Sequence, residues 1–395
     1  NVYFGVNIPQ LSYDIQSHIK NLVEEEIQFN NVFEIKSKSK RTFSVDLPRC
    51  YASRYKIEVI GETLLDCILV SKETKNADSY THKFTTNKSC DFRFFDLVSC
   101  GGFKLSVNNK GDKDAKIIVH VLHSYYPFEK FNKIQTNNIK LNDLFDKCSF
   151  AVKNCTQSIL LDSPKHCEPS GSCAGDYNII SLVNAFLTGD YSLSKHHLRL
   201  QAKTLECTNG ELSNSSYALI FVKWLKNIYM FTGDKTLIED CKLGMKNALD
   251  LYTSFLGESG LVEKSYNYIF IDWLVVDGFN MFAPPKNLGQ SVVTMNFYDA
   301  LMSASYLYSE IGDIRNSNKY KKIANKLSKN NIDCFYATVM NNISFLNNKF
   351  NTSFFQSNWS TLARPENFKG NYFGVLKLNG DMDGVKLSYF NHGLN

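Results

Sequence analysis

Three short stretches, Leu187-Thr188-Gly189-Asp190, Phe231-Thr232-Gly233-Asp234 and Glu310-Ile311-Gly312-Asp313, repeat one device between segments of helical apolar spacing. Glycine suits the left-handed position that closes a helix. Aspartate suits the N-cap of the next helix, where its carboxylate accepts a backbone N–H. Each stretch therefore reads as the tight turn of an αα-hairpin. Three such hairpins predict a repeating array, either a solenoid or a closed (α/α) toroid, and the number of helices disfavours a four-helix bundle. The predicted helices are Tyr177–Leu187, Leu193–Leu205, Tyr217–Phe231, Leu237–Phe255, Val292–Ile311 and Arg315–Leu327. Ahead of them, Leu141, Leu144, Phe145, Cys148 and Val152 also fall at helical spacing.

The first 130 residues follow a different period. Arg41–Val45, Arg54–Ile60, Leu64–Val70, Lys83–Thr85, Phe103–Val107 and Lys116–Leu122 alternate β-branched or aromatic residues with polar ones. Turn residues separate them: Asp46-Leu47-Pro48, Gly61-Glu62, Asn76-Ala77-Asp78, and a hairpin at Asn109-Lys110-Gly111-Asp112. Asp14–Phe29 alone reads as helix-like. The predicted architecture is an N-terminal β-sandwich over 1–130 followed by an (α/α)6-type toroid over 131–395. A chain of 395 residues has room for both domains.

Charge and composition remove several function classes. The balance is 44 − 39 = +5, too weak over this length to imply a nucleic-acid partner, and the basic run Lys36–Arg41 reads as a solvated turn. Apolar runs such as Tyr217–Phe231 are broken by charges, here Lys223 and Lys226, so no membrane span is expected. There is no phosphate-binding glycine loop and no serine nucleophile elbow. Adjacent His196 and His197 would point to different faces of a helix, and no Cys-x-x-Cys occurs, so neither a metal nor another cofactor is expected. Cys90/Cys100 and Cys167/Cys173 are close enough in sequence to close short loops. Six Asn-x-Ser/Thr sites begin at Asn87, Asn154, Asn214, Asn342, Asn351 and Asn358. Together these features fit a secreted chain. The opening Asn1, without a basic-then-apolar leader, fits a processed product or a fragment. Nothing in the sequence sets the oligomeric state.

Two long insertions interrupt the helices, and long insertions in a regular array tend to carry function. Leu161–Asp176 holds three carboxylates, Asp162, Glu168 and Asp176, among Pro164, Pro169, Gly171 and Gly175. Glycoside cleavage needs a proton donor and a second carboxylate as base or nucleophile. Glu168 suits the donor, because a half-buried glutamate beside apolar groups has a raised pKa. The plainer alternative makes Asp176 the N-cap of a helix beginning at Tyr177 and Asp162 a loop anchor. The second insertion, Glu263–Leu288, contains Asp272-Trp273 and, five residues on, Asp277-Gly278. A carboxylate beside an indole fits sugar binding, the ring on apolar faces and the acid on hydroxyls. The alternative is a buried Trp273 beside a turn at Asp277-Gly278.

These residues also carry a resemblance. Leu141–Glu168 with Gly175-Asp176, and Asp272-Trp273 running on to Asp277-Gly278-Phe279 and Pro284-Pro285, resemble the catalytic barrel of the α-L-rhamnosidases, glycoside hydrolase family 78. The likeness spans roughly 125–312, and the order of a β-sandwich before an (α/α)6 toroid agrees with it. It implies an inverting hydrolase of terminal α-L-rhamnosyl residues. Glu168 would be the general acid, Asp162, Asp176, Asp272 and Asp277 would bind sugar hydroxyls, and Trp273 would pack on the ring. Where the family carries Arg-Asp-Glu-Arg, this chain has His166-Cys167-Glu168-Pro169. The family's general base, a Glu after a Trp late in the barrel, has no counterpart after residue 312: Glu366, Asp381 and Asp383 stand in other contexts. The resemblance thus implies an incomplete toroid. A catalytically silent carbohydrate-binding or structural glycoprotein of the same fold is the alternative.

Overall fold

The computed structural model describes residues 20–74, 77–164, 173–258, 260–263, 270, 275–276, 279–280 and 290–328. The chain forms two compact units, 1–248 and 249–395.

The first unit opens with an antiparallel sheet of eight strands: β1 (Val23–Glu26), β2 (Val32–Ile35), β3 (Lys40–Ile60), β4 (Leu65–Thr74), β5 (Ala77–Thr86), β6 (Cys90–Arg93), β7 (Val98–Asn109) and β8 (Ala115–Tyr125). The order is β1-β8-β3-β7-β4-β5, with β2 also on β8 and β6 also on β3. The β-sandwich region read from the sequence is formed by one continuous sheet that curls over on itself. Strands three places apart in a flat sheet lie about 14 Å apart. Yet Phe33 on β2 and Phe103 on β7 meet edge to face with ring centroids 6.1 Å apart. Inside the curl, Ile57, Leu69, Leu105, Val119 and Val121 are fully buried. Period-two alternation drives this. On β8, Ala115, Ile117, Val119 and Val121 face in, while Lys116 and His120 alternate with them.

Two local expectations are corrected here. Asp46-Leu47-Pro48 does not end a strand, because β3 runs through it. The register on β7 jumps from Asp46↔Gly102 to Tyr51↔Cys100, so the extra residues bulge and the ladder resumes. Proline lacks an N–H, and a bulge asks for none. The helix-like pattern of Asp14–Phe29 contains instead the strand β1, paired with Leu122–Tyr125; the part before residue 20 lies outside the described residues.

Strand gives way to helix between Tyr125 and Ile139. The helices are α1 (Ile139–Asn154), α2 (Ala174–Thr188), α3 (Ser192–Cys207), α4 (Tyr217–Thr232), α5 (Lys235–Ser254) and α6 (Gln290–Glu310), with a further helix, α7, over 314–328. All three Gly-Asp stretches turn as the sequence predicts. Gly189, Gly233 and Gly312 have φ of 66°, 62° and 79°. Asp234 Oδ1 accepts the Thr236 and Leu237 N–H groups at 3.1 and 3.3 Å, and Asp313 Oδ1 accepts Asn316 N–H at 3.0 Å. Asp190 sits one residue early: Tyr191 is the N-cap of α3, and Asp190 still accepts Ser192 N–H at 2.9 Å.

Helix α1 forms where the spacing places it but buries another face. Leu141, Leu144 and Cys148 are exposed. Its contacts with the sheet come from Asp146, which pairs with Arg49 at 2.6 Å, from Phe150, which lies edge-on to Tyr51, and from Asn154.

Candidate functional site

In the first unit α2 and α4 run side by side and parallel. At their starts Gly175 faces the Tyr217 ring, and at their ends Phe186 meets Phe231 with centroids 5.6 Å apart. Between, Trp224 Nε1 donates to Ser181 Oγ at 2.8 Å and Asn227 Nδ2 donates to Asn178 Oδ1 at 2.9 Å. The tight Gly-Asp turns leave the C-terminal ends of α2 and α4. The longer connections, 155–173 and 208–216, arrive at their N-terminal ends. This asymmetry puts the first insertion at the end of the helical array where loops have room to build a site.

Asp162 and Asp176 are both at that end, and both are half-buried. Asp162 follows a tightly stitched segment. Leu161 N–H donates to Cys155 O at 2.8 Å, and Cys155 Sγ lies 3.4 Å from Asp162 O. Gln157 Nε2 donates to Ser124 O at 2.7 Å and Ser124 Oγ donates to Gln157 Oε1 at 3.0 Å, while Tyr126 N–H donates to Thr156 O at 2.8 Å. Thr156, Gln157, Leu160 and Leu161 are buried. A connection with so many internal bonds presents its next residue from a rigid base. The loop-anchor and sugar-contact readings of Asp162 both remain compatible with this placement.

Asp176 is not the N-cap that the sequence offered as its plain alternative. Helix α2 starts at Ala174 after an N-cap at Cys173, so Asp176 is the third helical residue. A first-turn carboxylate gains from the helix dipole. The early start is explained by Ala174, which is fully buried, and by Gly175, which the Tyr217 ring approaches closely.

Glu168, Asp272, Trp273 and Asp277 lie outside the described residues. Of the second insertion, the second unit shows its borders. Leu256 and Val262 form a bridge, Val262 N–H donates to Thr294 Oγ1 at 2.9 Å, and Phe270 is fully buried. Val275–Val276 and Phe279–Asn280 pair as antiparallel strands β9 and β10, with Val276 opposite Phe279.

His197 is the residue that sequence reasoning passed over. On α3 it is fully buried, and burial, reinforced by His196, brings its pKa down to about 3. The ring is therefore neutral, and Nδ1 accepts Leu160 N–H at 3.2 Å. Its ring also lies 4.3 Å from that of Tyr177 and 5.4 Å from that of Trp224. Spacing along the chain carries no signal for this, because Leu160 is distant in sequence.

No group of three or more metal-ligating side chains occurs among the described residues, and no described helix is long and apolar enough to cross a membrane. Cys90 and Cys100 do not pair. Both thiols are free, and along β3 they stand opposite Val59 and Tyr51, eight residues apart, far beyond disulfide reach. The Cys167/Cys173 loop cannot be followed in the same way, because Cys167 lies outside the described residues.

Comparison with known proteins adds four findings. The family model for the bacterial alpha-L-rhamnosidase 6 hairpin glycosidase domain matches residues 129–344. An alpha-L-rhamnosidase of Alteromonas sp. (strain LOR) is 28% identical over 188 residues, 44% of this chain and 19% of that protein. Among solved structures, a rhamnosidase from Klebsiella oxytoca with rhamnose bound aligns with TM-score 0.63 at 15% identity, over 82% of this chain and 73% of that one. The GH78 family rhamnosidase of Bacillus sp. GL1 aligns with TM-score 0.64 at 14% identity, over 76% of this chain and 32% of that one. The chain spans about a fifth of the Alteromonas protein and a third of the Bacillus one.

Proposed function

We infer the activity from the premise that the chain belongs to the bacterial alpha-L-rhamnosidase 6 hairpin glycosidase domain family, matched over more than half its length. We propose that it is a glycoside hydrolase that cleaves terminal α-L-rhamnosyl residues with inversion. In this reading 1–130 is an accessory β domain and 131–395 the catalytic-type domain. Glu168 protonates the leaving oxygen. Asp162, Asp176, Asp272 and Asp277 take sugar hydroxyls, and Trp273 packs on the ring.

One structural observation carries most weight beside the family match. The insertion that holds Glu168 reaches the N-terminal end of α2, flanked by the half-buried Asp162 and Asp176. Protonation of a leaving oxygen requires an acid held at fixed distance from the sugar, and a rigid base before Asp162 supports that. An inverting reaction also needs a second carboxylate roughly 6.5–9.5 Å from the acid to activate water. Asp277 and Asp381 are the candidates within this chain. Secretion belongs to the same proposal, since polymeric or glycosidic substrates are met outside the cell.

The test is L-rhamnose binding and hydrolysis of a chromogenic α-L-rhamnoside by the chain and by Glu168→Gln. Binding that survives in Glu168→Gln while turnover falls by ~10²–10⁴ supports the acid assignment. Unchanged turnover removes it. Binding without any hydrolysis by the wild-type chain leaves a sugar-binding relative of the same fold.

A further inference from the structure

Asp162 and Asp176 belong to different segments, one ending the stitched connection after α1 and the other in the first turn of α2. A single side chain touches both segments. His197 Nδ1 accepts the N–H of Leu160, two residues before Asp162, at 3.2 Å. The same imidazole packs tilted against the ring of Tyr177, next to Asp176, with centroids 4.3 Å apart. Trp224 of α4 closes the third side at 5.4 Å, and its indole N–H is spent on Ser181 Oγ at 2.8 Å. His197 and Leu160 are both fully buried.

We propose that His197 is a positioning residue for the sugar site: it couples the Leu160–Asp162 segment to the first turn of α2, so that Asp162 and Asp176 are presented to one sugar together. The proposal rests on the rhamnoside-binding reading of that end. The role proposed is one of position: the ring is buried and its Nδ1 accepts a backbone amide. Its effect is geometric. Without an acceptor for Leu160 N–H, the segment keeps its bonds to Cys155 and Ser124 but loses this tie to the helical array, and Asp162 is held less firmly relative to Asp176. Two ligands for one sugar that drift relative to each other bind it more weakly, because their ordering is then borne by the complex.

Two polar substitutions separate geometry from polarity. Asn places its amide oxygen near the position of Nδ1, whereas Gln carries it one bond further, near Nε2. In the full chain, His197→Asn should keep slow amide exchange at Leu160 and keep L-rhamnose affinity within a few-fold. His197→Gln should speed exchange at Leu160 and weaken L-rhamnose by roughly tenfold, the scale of one hydrogen bond. Equal affinity in the two variants, or Leu160 exchange unchanged in His197→Gln, overturns the proposal. A measurement on the wild-type chain stands apart from folding of the variants: L-rhamnose should slow exchange at Leu160 while leaving Val119 in the sheet unaffected, and no change at Leu160 overturns the coupling. Failure of the wild-type chain to bind L-rhamnose at all is the distinct outcome that sinks the rhamnoside reading, and this proposal with it.

Discussion

Asn154 and His123 meet side chain to side chain, Oδ1 to Nε2 at 2.9 Å, where the last residue of α1 reaches the end of strand β8. The same Oδ1 accepts Ala52 N–H at 3.1 Å, and Nδ2 donates to the Cys50 carbonyl at 2.9 Å. One buried amide thus answers strand β3 twice and a histidine of β8. Asn154→Ala leaves these partners buried and unmatched, so it should cost roughly 2–3 kcal/mol. Urea unfolding checks this; a loss under about 0.5 kcal/mol would mean that water replaces the amide freely.

The same histidine sets a pH dependence. Burial first, then the Lys153 charge, brings His123 down to about 4 against the hydrogen bond that its Nε2–H donates to Asn154; burial brings His197 to about 3. Both rings are neutral in the folded chain and bind protons on unfolding below 6.5. Their contribution to stability is therefore complete above pH 6.5 and declines as pH falls toward 4 and then 3, by an amount on the order of a few kcal/mol. Urea midpoints measured from pH 7 to 4 should fall with this slope, and the slope should be shallower in His197→Asn. A flat profile would contradict the buried neutral state.

At the Gly-Asp turns the expected cost is conformational only. A Cβ on Gly189, Gly233 or Gly312 meets nothing within 4 Å, but φ is positive at each. Gly233→Val should lose at least ~1 kcal/mol, and Gly233→Asn less, because Asn tolerates the left-handed region. Equal losses for Val and Asn would point to a hidden steric cause. Asp234 adds a second tie in this turn. Although burial opposes its ionisation, Lys195 at 2.8 Å and the Thr236 hydroxyl hold its carboxyl at about 2.

How far the sequence could be read follows from the range of each interaction. The αα-hairpins were legible because glycine and aspartate act locally, within one turn. The strand segments were legible through period two, but Pro48 was misread: a breaker signal does not distinguish a turn from a bulge, and pairing with Gly102 and Cys100 decides it. The stripe on α1 located the helix without its buried face, because that face is chosen by Arg49, Tyr51 and His123 on distant strands. That Asp162 and Asp176 stand on either side of one loop could be read from the sequence. His197 could not, since its meaning depends on Leu160 arriving beside it.

Burial sorts the glycosylation signals. Asn87 is exposed in the turn after β5, whereas Asn154 is buried with its Nδ2 bonded and Asn214 is 7% exposed. Expressed through a glycosylating secretory route, the folded chain should carry glycan at Asn87 and none at Asn154 or Asn214. Peptide mapping decides it, and full occupancy at Asn154 would show modification ahead of folding.

Asp176 permits a test in which its two roles separate by magnitude. As a first-turn carboxylate it contributes through the helix dipole, which is worth about 0.3–1 kcal/mol at a solvent-reachable site. As a sugar ligand it offers a charged acceptor to hydroxyls, where loss of one such bond costs about 1.5–3 kcal/mol, or more than tenfold in affinity. Asp176→Asn keeps the size and removes the charge. Helix α2 should survive, since its start is also held by buried Ala174 and Tyr177. The expected result is a small fall in unfolding free energy together with a loss of L-rhamnose affinity beyond tenfold. If stability falls while affinity holds, Asp176 serves the helix start alone, and the sugar contacts at this end must come from Asp162 and its neighbours.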